Sequence, residues 1–262
     1  MLFARFRHHG RESYGLLDGN GLRLLDGDLF GDYRPRKEAV SLADVVLLAP
    51  VRPGKILAAA VNYRSHVAGS RRLLKQDEPP AVPQLFLKPS SSVIGPEEAI
   101  ALPDGAGRVD LEGELVAVIG RRCRDVSPAD ALDFVFGYTC GNDVSARYWQ
   151  RDDLQWWRAK GSDTFSPLGP FIATGLDPTR LRLRTRLNGA EVQSSSTAEL
   201  IHGVAELISF ASRVLTWEPG DLLFTGTPGE TPAIRPGDVV EVEIEGIGVL
   251  RNRVASRPVT AN

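Results

Sequence analysis

Short alternating segments separated by turn residues dominate the first fifty positions of the chain. The DGNG sequence at 18–21 lies between two runs in which apolar and polar side chains alternate. Such a tetrapeptide between alternating runs is a strong hairpin signal. Prolines and a glycine cluster at 50–54 and interrupt the pattern. We therefore predict a small N-terminal β-rich domain over residues 1–52 and a second domain over residues 53–262.

The second domain has the pattern of further short strands with few helices. Apolar runs bounded by proline, glycine or charged residues predict strands at KILAAAVNY (55–63), PQLFLKP (83–89), AIALP (99–103), DLLFTG (221–226), DVVEVEIEG (238–246) and GVLRNRVA (248–255). Apolar residues recur at helical spacing over 204–216, including Val214, and predict an amphipathic helix. A short helix is predicted to follow Pro128, with Ser127 as its N-cap. The expected fold is mostly β, of mixed α+β type.

One buried-strand candidate carries two acidic residues at its start. Residues 115–119 form an unbroken apolar run, and Glu112 and Glu114 precede it at a spacing of two. Strand side chains alternate between faces, so both carboxylates are expected to point the same way. Two like charges at the entrance to a core repel each other and lose hydration. The pattern therefore calls for a positive partner.

A hard divalent cation is the simplest such partner, because Mg²⁺ prefers oxygen ligands and keeps some of its waters. Asp143, after the apolar FVFGY run, is a candidate third ligand. The alternative is that Glu112 and Glu114 form a solvated strand face, which is common for paired glutamates. The EVEIEG sequence at 241–246 has the same spacing without an apolar continuation. We interpret that segment as a solvated edge strand.

Composition narrows the class of protein. The 262 residues are 42% hydrophobic and 24% charged, with a net charge of −2. Neither a basic stripe for nucleic acid nor an acidic tail is present. The two cysteines fit a reducing compartment, the N-terminus is unlike a signal peptide, and no apolar run approaches the roughly 20 residues of a membrane span. We expect a soluble cytoplasmic protein with no nucleic-acid or membrane partner.

Six motifs in order resemble the fumarylacetoacetate hydrolase superfamily. They are NYRSH (62–66), PQLFLKPSSS (83–92), DLEGELVAVIG (110–120), GNDVSARYWQ (141–150), WWRAKGSDTFSPLGPF (156–171) and GDLLFTGTPGE (220–230). The resemblance covers about residues 53–255 and is closest to bacterial acylpyruvate hydrolases and 2-hydroxyhepta-2,4-diene-1,7-dioate isomerases. It implies a β-roll catalytic domain, a homodimer, and Mg²⁺ or Mn²⁺ bound by Glu112, Glu114 and Asp143.

The resemblance also implies roles for five further residues. His66 matches the family's general base and Lys160 its active-site lysine, which donates to a substrate oxyanion or, with a lowered pKa, exchanges a proton. Arg147, Gln150 and Thr227 match substrate-contacting positions. Each has a plainer alternative: a structural histidine, a surface lysine, or turn and surface residues.

The chain departs from the family pattern three residues after His66. Hydrolytic relatives carry there a glutamate that orients the imidazole, on a helical lid, whereas this chain has Gly69. Glycine costs a helix roughly 1 kcal/mol relative to alanine, so the lid here is expected to be less helical. Glu78 or Asp77 is a candidate substitute for the missing carboxylate.

The implied activity is a metal-dependent reaction on a 2,4-dioxo or 2-hydroxy-dienoic acid. Hydrolytic cleavage of a carbon–carbon bond in an acylpyruvate-type substrate is the leading expectation. The alternatives are isomerisation or tautomerisation of a muconate-type or oxaloacetate-like 2-oxo acid, and oxaloacetate-type decarboxylation. Two other classes stay open: a non-catalytic protein that binds dicarboxylates, and a structural protein with a stabilising metal. The missing glutamate weakens hydrolysis in particular, since water activation needs a strong base.

Overall fold

Strands are the predominant secondary structure of the computed structural model, which describes residues 1–67 and 78–256. The first five strands are β1 (Leu2–His8), β2 (Arg11–Asp18), β3 (Gly21–Gly27), β4 (Tyr33–Ser41) and β5 (Val46–Leu48). They are followed by β6 (Ile56–Ala60), β7 (Gln84–Lys88), β8 (Val93–Ile94), β9 (Ile100–Leu102), β10 (Val109–Asp110), β11 (Gly113–Ile119), β12 (Val135–Asn142), β13 (Ser145–Ala146), β14 (Ser166–Ala173), β15 (Arg182–Leu187), β16 (Ala190–Ser196), β17 (Leu222–Phe224), β18 (Val239–Ile244) and β19 (Gly248–Ser256). The mostly β fold class is confirmed.

Helices are few and short in the described part of the chain. The α-helices are α1 (Arg64–Val67), α2 (Arg147–Asp152), α3 (Trp157–Gly161) and α4 (Val204–Ser212), and 3₁₀ turns lie at Leu42–Asp44, Ser90–Ser92, Ala131–Phe134 and Thr197–Glu199. None of these helices is long and apolar enough to cross a membrane.

A large sheet runs from the N-terminus into the rest of the chain. Its strand order is β4-β3-β2-β1-β14-β12-β11-β17-β6-β7, with β5 paired to β1 and β8 to β14. The hairpin predicted at 18–21 is present, because β2 and β3 pair from Asp18 opposite Gly21. All seven residues of β11 are buried, as its apolar run predicts. The N-terminal strands therefore continue the sheet that holds the most buried strand.

A second sheet has the order β16-β15-β18-β19-β9. The EVEIEG segment lies in β18 at the centre of this sheet, so its interpretation as an edge strand is wrong. Val240, Val242 and Ile244 face the core while the intervening glutamates are half-buried on the other face. Arginines on the neighbouring strands β15 and β19 pair with these glutamates. Alternation shows that one face is buried, but it cannot distinguish an edge strand from a central one.

The two helix predictions are each partly wrong. Helix α4 ends at Ser212 rather than at 216, and Val214 is exposed instead of lying on the apolar face. Val214 lies beyond the end of the helix, so the helical periodicity that would place it on the apolar face no longer applies. The segment after Pro128 forms only the single 3₁₀ turn, because β12 begins at Val135 and draws the chain into the sheet.

Candidate metal centre

Three carboxylates meet where the central strands of the large sheet end. Strands β11 and β12 pair with Gly113 opposite Asn142, and the Asp143 amide donates to the Glu112 carbonyl at 2.8 Å. Carboxylate oxygens of Glu112, Glu114 and Asp143 lie within 4.8 Å of one another. These residues are 4%, 1% and 1% exposed. The solvated-face alternative for the two glutamates is therefore wrong.

The donor set fits a hard divalent cation. Mg²⁺ and Mn²⁺ favour carboxylate oxygens, and one or two carboxylates plus water suffice for Mg²⁺. Three buried carboxylates that converge on one point would otherwise repel one another in a medium of low dielectric constant. Glu112, Glu114 and Asp143 are the residues that would hold such an ion.

Glycine between the two glutamates is required by close packing from the second sheet. A Cβ at Gly113 would lie 2.1 Å from the Thr185 hydroxyl oxygen on β15. The Gly113 amide donates to the side-chain oxygen of Gln193 on β16 at 3.2 Å, and the Gln193 amide group donates to the Thr227 hydroxyl at 2.9 Å. Thr227 in turn donates to the Gly113 carbonyl at 3.0 Å. Side chains of both sheets thus fix the backbone between the two ligands.

Replacing Gly113 with alanine is expected to lower the free energy of unfolding by about 1–3 kcal/mol, as overpacking of a core does. The displaced strand should also weaken Mn²⁺ binding, which calorimetric titration measures. The double variant Gly113→Ala/Thr185→Ala is the control, because the Thr185 hydroxyl is buried without a hydrogen-bond partner in the described structure. It should recover most of both losses. Wild-type stability and affinity in the single variant would contradict the packing argument.

Cationic side chains neutralise the carboxylates. Lys160, on α3, lies with Nζ 2.6 Å from both Glu112 Oε2 and Asp143 Oδ2. Arg147, at the start of α2, donates to Glu112 Oε1 at 2.6 Å and to Gln150 Oε1 at 2.8 Å. Lys160 is 3% exposed, so the alternative of a surface lysine is wrong. These groups meet part of the need for positive charge that the sequence indicates.

The protonation states follow from burial and from the neighbouring charges. Burial, and then the charges of Asp143 and Glu112, raise the pKa of Glu114 well above its usual range. The Gly226 amide donates a hydrogen bond to Glu114 Oε2 at 2.6 Å. Burial alone would lower the pKa of Lys160, but Asp143 and Glu112 outweigh it and raise that pKa. The raised pKa favours the ammonium form of Lys160, and its two expected roles, donation to an oxyanion and proton exchange, stay predictions.

A small cavity opens beside the carboxylates. Its volume is about 20 Å³, room for about one water-sized occupant. Arg147, Gln150 and Thr227 line it together with Lys160, so three of the positions expected to contact substrate are brought to one place. The rings of Phe86 and Trp156 complete an apolar side.

Other expected site residues are not gathered there by the described structure. His66 belongs to α1, but its side chain lies outside the described residues. Gly69 and Asp77 also lie outside them. Glu78 is described and is exposed. The roles expected for these residues stay predictions.

The sequence did not reveal four buried or half-buried polar residues of the site, which are Asp110, Thr231, Gln193 and Lys88. Asp110 accepts hydrogen bonds from Arg147 at 2.8 Å and from the Thr231 hydroxyl at 3.0 Å, and so holds the arginine. Gln193 accepts from the Gly113 amide and donates to the Thr227 hydroxyl, as described above. Lys88, the last residue of β7, pairs with Asp143. The signal for Lys88 is a lysine at the end of an apolar strand run, and the other three carry no local signal.

Two family models match this chain. Residues 55–255 match "Fumarylacetoacetate (FAA) hydrolase C-terminal", and residues 1–50 match "Rv2993c-like, N-terminal". The first covers well over half of the chain. The chain therefore belongs to the fumarylacetoacetate hydrolase family, and the resemblance inferred from the six motifs is confirmed.

Relatives with named activities span several reactions. A 2,4-didehydro-3-deoxy-L-rhamnonate hydrolase of Sphingomonas is 37% identical over 97% of this chain and 96% of its own. A mitochondrial oxaloacetate tautomerase of Xenopus laevis is 39% identical over 82% of this chain and 70% of its own. These relatives belong to the same family, but one is named as a hydrolase and the other as a tautomerase.

Solved structures with the same fold add an isomerase and a metal complex. The 2-hydroxyhepta-2,4-diene-1,7-dioate isomerase of Mycobacterium marinum has a TM-score of 0.90 and 41% identity, over 98% of this chain and 99% of its own. A maleylpyruvate hydrolase of Sphingobium sp. SYK-6, in complex with manganese(II) ion and pyruvate, has a TM-score of 0.81 and 29% identity, over 98% and 100%. The fold is therefore that of the family, including the N-terminal strands.

Proposed function

We propose that this protein is a divalent-metal-dependent enzyme that acts on a 2,4-dioxo or 2-hydroxy-dienoic acid. The leading reaction is hydrolytic cleavage of a carbon–carbon bond in an acylpyruvate-type substrate. The observation that carries the proposal is the convergence of three buried carboxylates beside a cavity lined by Lys160 and Arg147. Buried charges rarely stabilise a fold better than apolar residues do, so a cluster of this kind favours a chemical role.

Mg²⁺ or Mn²⁺ would be held by Glu112, Glu114 and Asp143. When bound there, the ion would act as a Lewis acid that polarises the 2-oxo carbonyl of the substrate. Lys160 and Arg147 line the cavity beside Glu112 and Glu114, and together with a bound ion they would attract an anionic 2-oxo acid. The related maleylpyruvate hydrolase in complex with manganese(II) and pyruvate supports both the metal and the substrate class.

The residues of this chain would bind the substrate and stabilise the charge that develops on it. Lys160 is fixed by two carboxylates, so its ammonium offers a preorganised donor to an oxygen that becomes negative. Arg147 is held by Asp110 and Gln150, and it adds a second cationic donor at the cavity wall. The Phe86 and Trp156 rings, which line the same cavity, would exclude water from it.

In hydrolysis of an acylpyruvate, a water oxygen adds to the C4 carbonyl carbon and loses a proton to a general base. The C3–C4 bond then breaks, and its electron pair moves to C3 as the pyruvate enolate. Protonation at C3 gives pyruvate, and the acyl group leaves as a carboxylic acid. We propose His66 as the base that takes the proton from water, since a histidine pKa near neutrality suits that task.

Enol–keto tautomerisation is the second candidate, and Gly69 favours it. The glutamate that would orient His66 is absent at that position. Tautomerisation needs a proton shuttle but no activated water, and a relative is named as an oxaloacetate tautomerase. Decarboxylation of an oxaloacetate-like acid would use the same bound ion as an electron sink.

The test compares the two rates on one compound. We expect Mn²⁺-loaded wild type to tautomerise an acylpyruvate rapidly and to hydrolyse it more slowly. Ultraviolet loss of the enol band follows the first reaction, and pyruvate release measures the second. Gly69→Glu should raise hydrolysis selectively. General-base assistance is worth roughly 10²–10⁴-fold, so the two rates should separate clearly.

Two results would count against these proposals. Efficient hydrolysis by wild type that survives both Glu78→Ala and Asp77→Ala would contradict the role given to the missing glutamate. Tight Mn²⁺ binding without turnover of acylpyruvates, muconate-type dienes or oxaloacetate would instead make the protein a non-catalytic binder of dicarboxylates.

A further inference from the structure

Lys88 places an ammonium behind the candidate metal centre. The side chain is 0% exposed, and its Nζ forms an ion pair with Asp143 Oδ1 and donates to the Phe165 carbonyl at 2.9 Å. Asp143 follows β12, and Phe165 immediately precedes β14. The ring of Phe224, on β17, lies 5.7 Å from the same nitrogen. The lysine therefore ties β7 to three neighbouring segments.

This arrangement needs a reason other than stability. The Lys88 ammonium and the Asp143 carboxylate are both buried, and taking two charges out of water costs free energy that their attraction offsets only in part. Replacing a buried ion pair with well-packed apolar residues is often neutral or stabilising. A lysine at this position is therefore better explained by what it does to its carboxylate partner.

The two oxygens of Asp143 are divided between two lysines. Lys88 takes Oδ1, and Lys160 lies 2.6 Å from Oδ2. Lys160 lines the cavity, whereas Lys88 is not among its lining residues. Lys88 is thus buried and contacts the carboxylate without lining the cavity.

The backbone around Asp143 is fixed as well, so the remaining freedom is rotation of the carboxylate. The Asp143 amide donates to Glu112, and the Ser145 hydroxyl donates to the Asp143 carbonyl at 2.8 Å. A donor anchored by the Phe165 carbonyl is well placed to stop that rotation. Hydrogen bonds of this kind orient metal ligands, and their loss typically weakens metal binding 10–100-fold.

We infer that Lys88 is a positioning residue that holds Asp143 by one oxygen and so presents the other to a divalent cation shared with Glu112 and Glu114. The inference rests on the proposed function, because it concerns the metal of that site. It assigns Lys88 no contact with substrate.

The test measures Mn²⁺ affinity by calorimetry and by the electron paramagnetic resonance signal of free Mn²⁺. Lys88→Met keeps a long apolar stem but removes the donor, and it should weaken binding about 10–100-fold. Lys88→Gln carries a neutral donor and should recover part of the loss. Lys55→Met is the matched control, because Lys55 pairs with the buried Asp221 away from the centre and should leave Mn²⁺ affinity unchanged.

Wild-type affinity in Lys88→Met would overturn the inference, as would tighter binding in both Lys88 variants, which would mean that only repulsion between charges matters. An equal loss in Lys55→Met would also overturn it. If Lys88→Met does not fold, Lys88→Gln decides: a partial loss relative to Lys55→Met supports the inference, and no loss overturns it. Turnover plays no part in this comparison, so failure of the proposed enzyme activity would be recognised separately.

Discussion

Replacing Glu114 with glutamine is expected to weaken Mn²⁺ binding by on the order of 100-fold or more. Loss of a hydrogen bond to a ligand already costs 10–100-fold, and this change neutralises a ligand itself. Glutamine keeps the size of the side chain and an oxygen that can accept from the Gly226 amide. The loss should therefore come from the charge and not from misfolding. Calorimetric titration with Mn²⁺ measures it directly.

The same variant should be more stable than wild type when no metal is present. The pKa of Glu114 is raised by burial and by the adjacent carboxylates, so its ionised form is unfavourable in the folded protein at neutral pH. A neutral glutamine removes that cost, and the melting temperature of metal-free protein should rise. Added Mn²⁺ should raise the melting temperature of wild type but not that of the variant.

Glu243→Gln is the matched control for Glu114→Gln. Glu243 has the same two-residue spacing in EVEIEG, but it pairs with Arg186 on a half-buried face of the second sheet. Its replacement should change neither metal affinity nor metal-dependent stabilisation. Wild-type affinity in Glu114→Gln, or an equal loss in both variants, would remove Glu114 from the metal centre.

Replacing Lys160 with methionine is expected to lower kcat by roughly 10²–10³-fold, the loss typical of one donor to a developing oxyanion. Methionine has a similar length and can pack against the Phe86 ring, which lies 5.2 Å from the lysine nitrogen. Mn²⁺ affinity should fall much less than kcat. The ammonium is not a ligand, and it competes with a cation for Glu112 and Asp143.

Steady-state kinetics and Mn²⁺ titration on the same preparation separate these effects. Arg158→Met is the control, because Arg158 lies on the same helix but pairs with Asp153. It should leave kcat within a few-fold of wild type. Unchanged kcat in Lys160→Met would show that the buried lysine only balances charge.

The ligand residues were predictable because their signal is local. Glu112 precedes β11, Glu114 is its second residue and stands just before the apolar run at 115–119, and Asp143 directly follows the neighbouring strand β12. An acidic pair at such a position must be offset by something positive, and that reasoning needs no tertiary structure. The three residues are brought together by the antiparallel pairing of β11 with β12, the next long strand along the chain.

The supporting residues were not predictable because their partners lie far along the chain. Lys88 and Asp143 are 55 residues apart, and Gly113 and Gln193 are 80 apart. A glutamine in an alternating strand or a lysine at a strand end looks like a surface residue until its partner is known. The burial of Lys160 was not predictable for the same reason, because only the tertiary fold brings α3 over the carboxylates.

The contacts of Gln193 and Thr185 with Gly113 have a consequence for how this protein can diverge. Those residues belong to the second sheet, yet they set the spacing of the chain between two ligands in the first. A recombination between relatives that exchanged only the second sheet would leave every carboxylate in place. It would still alter the site, because the support of a site is part of its geometry. The two sheets must therefore be inherited together for the acidic residues to keep their arrangement.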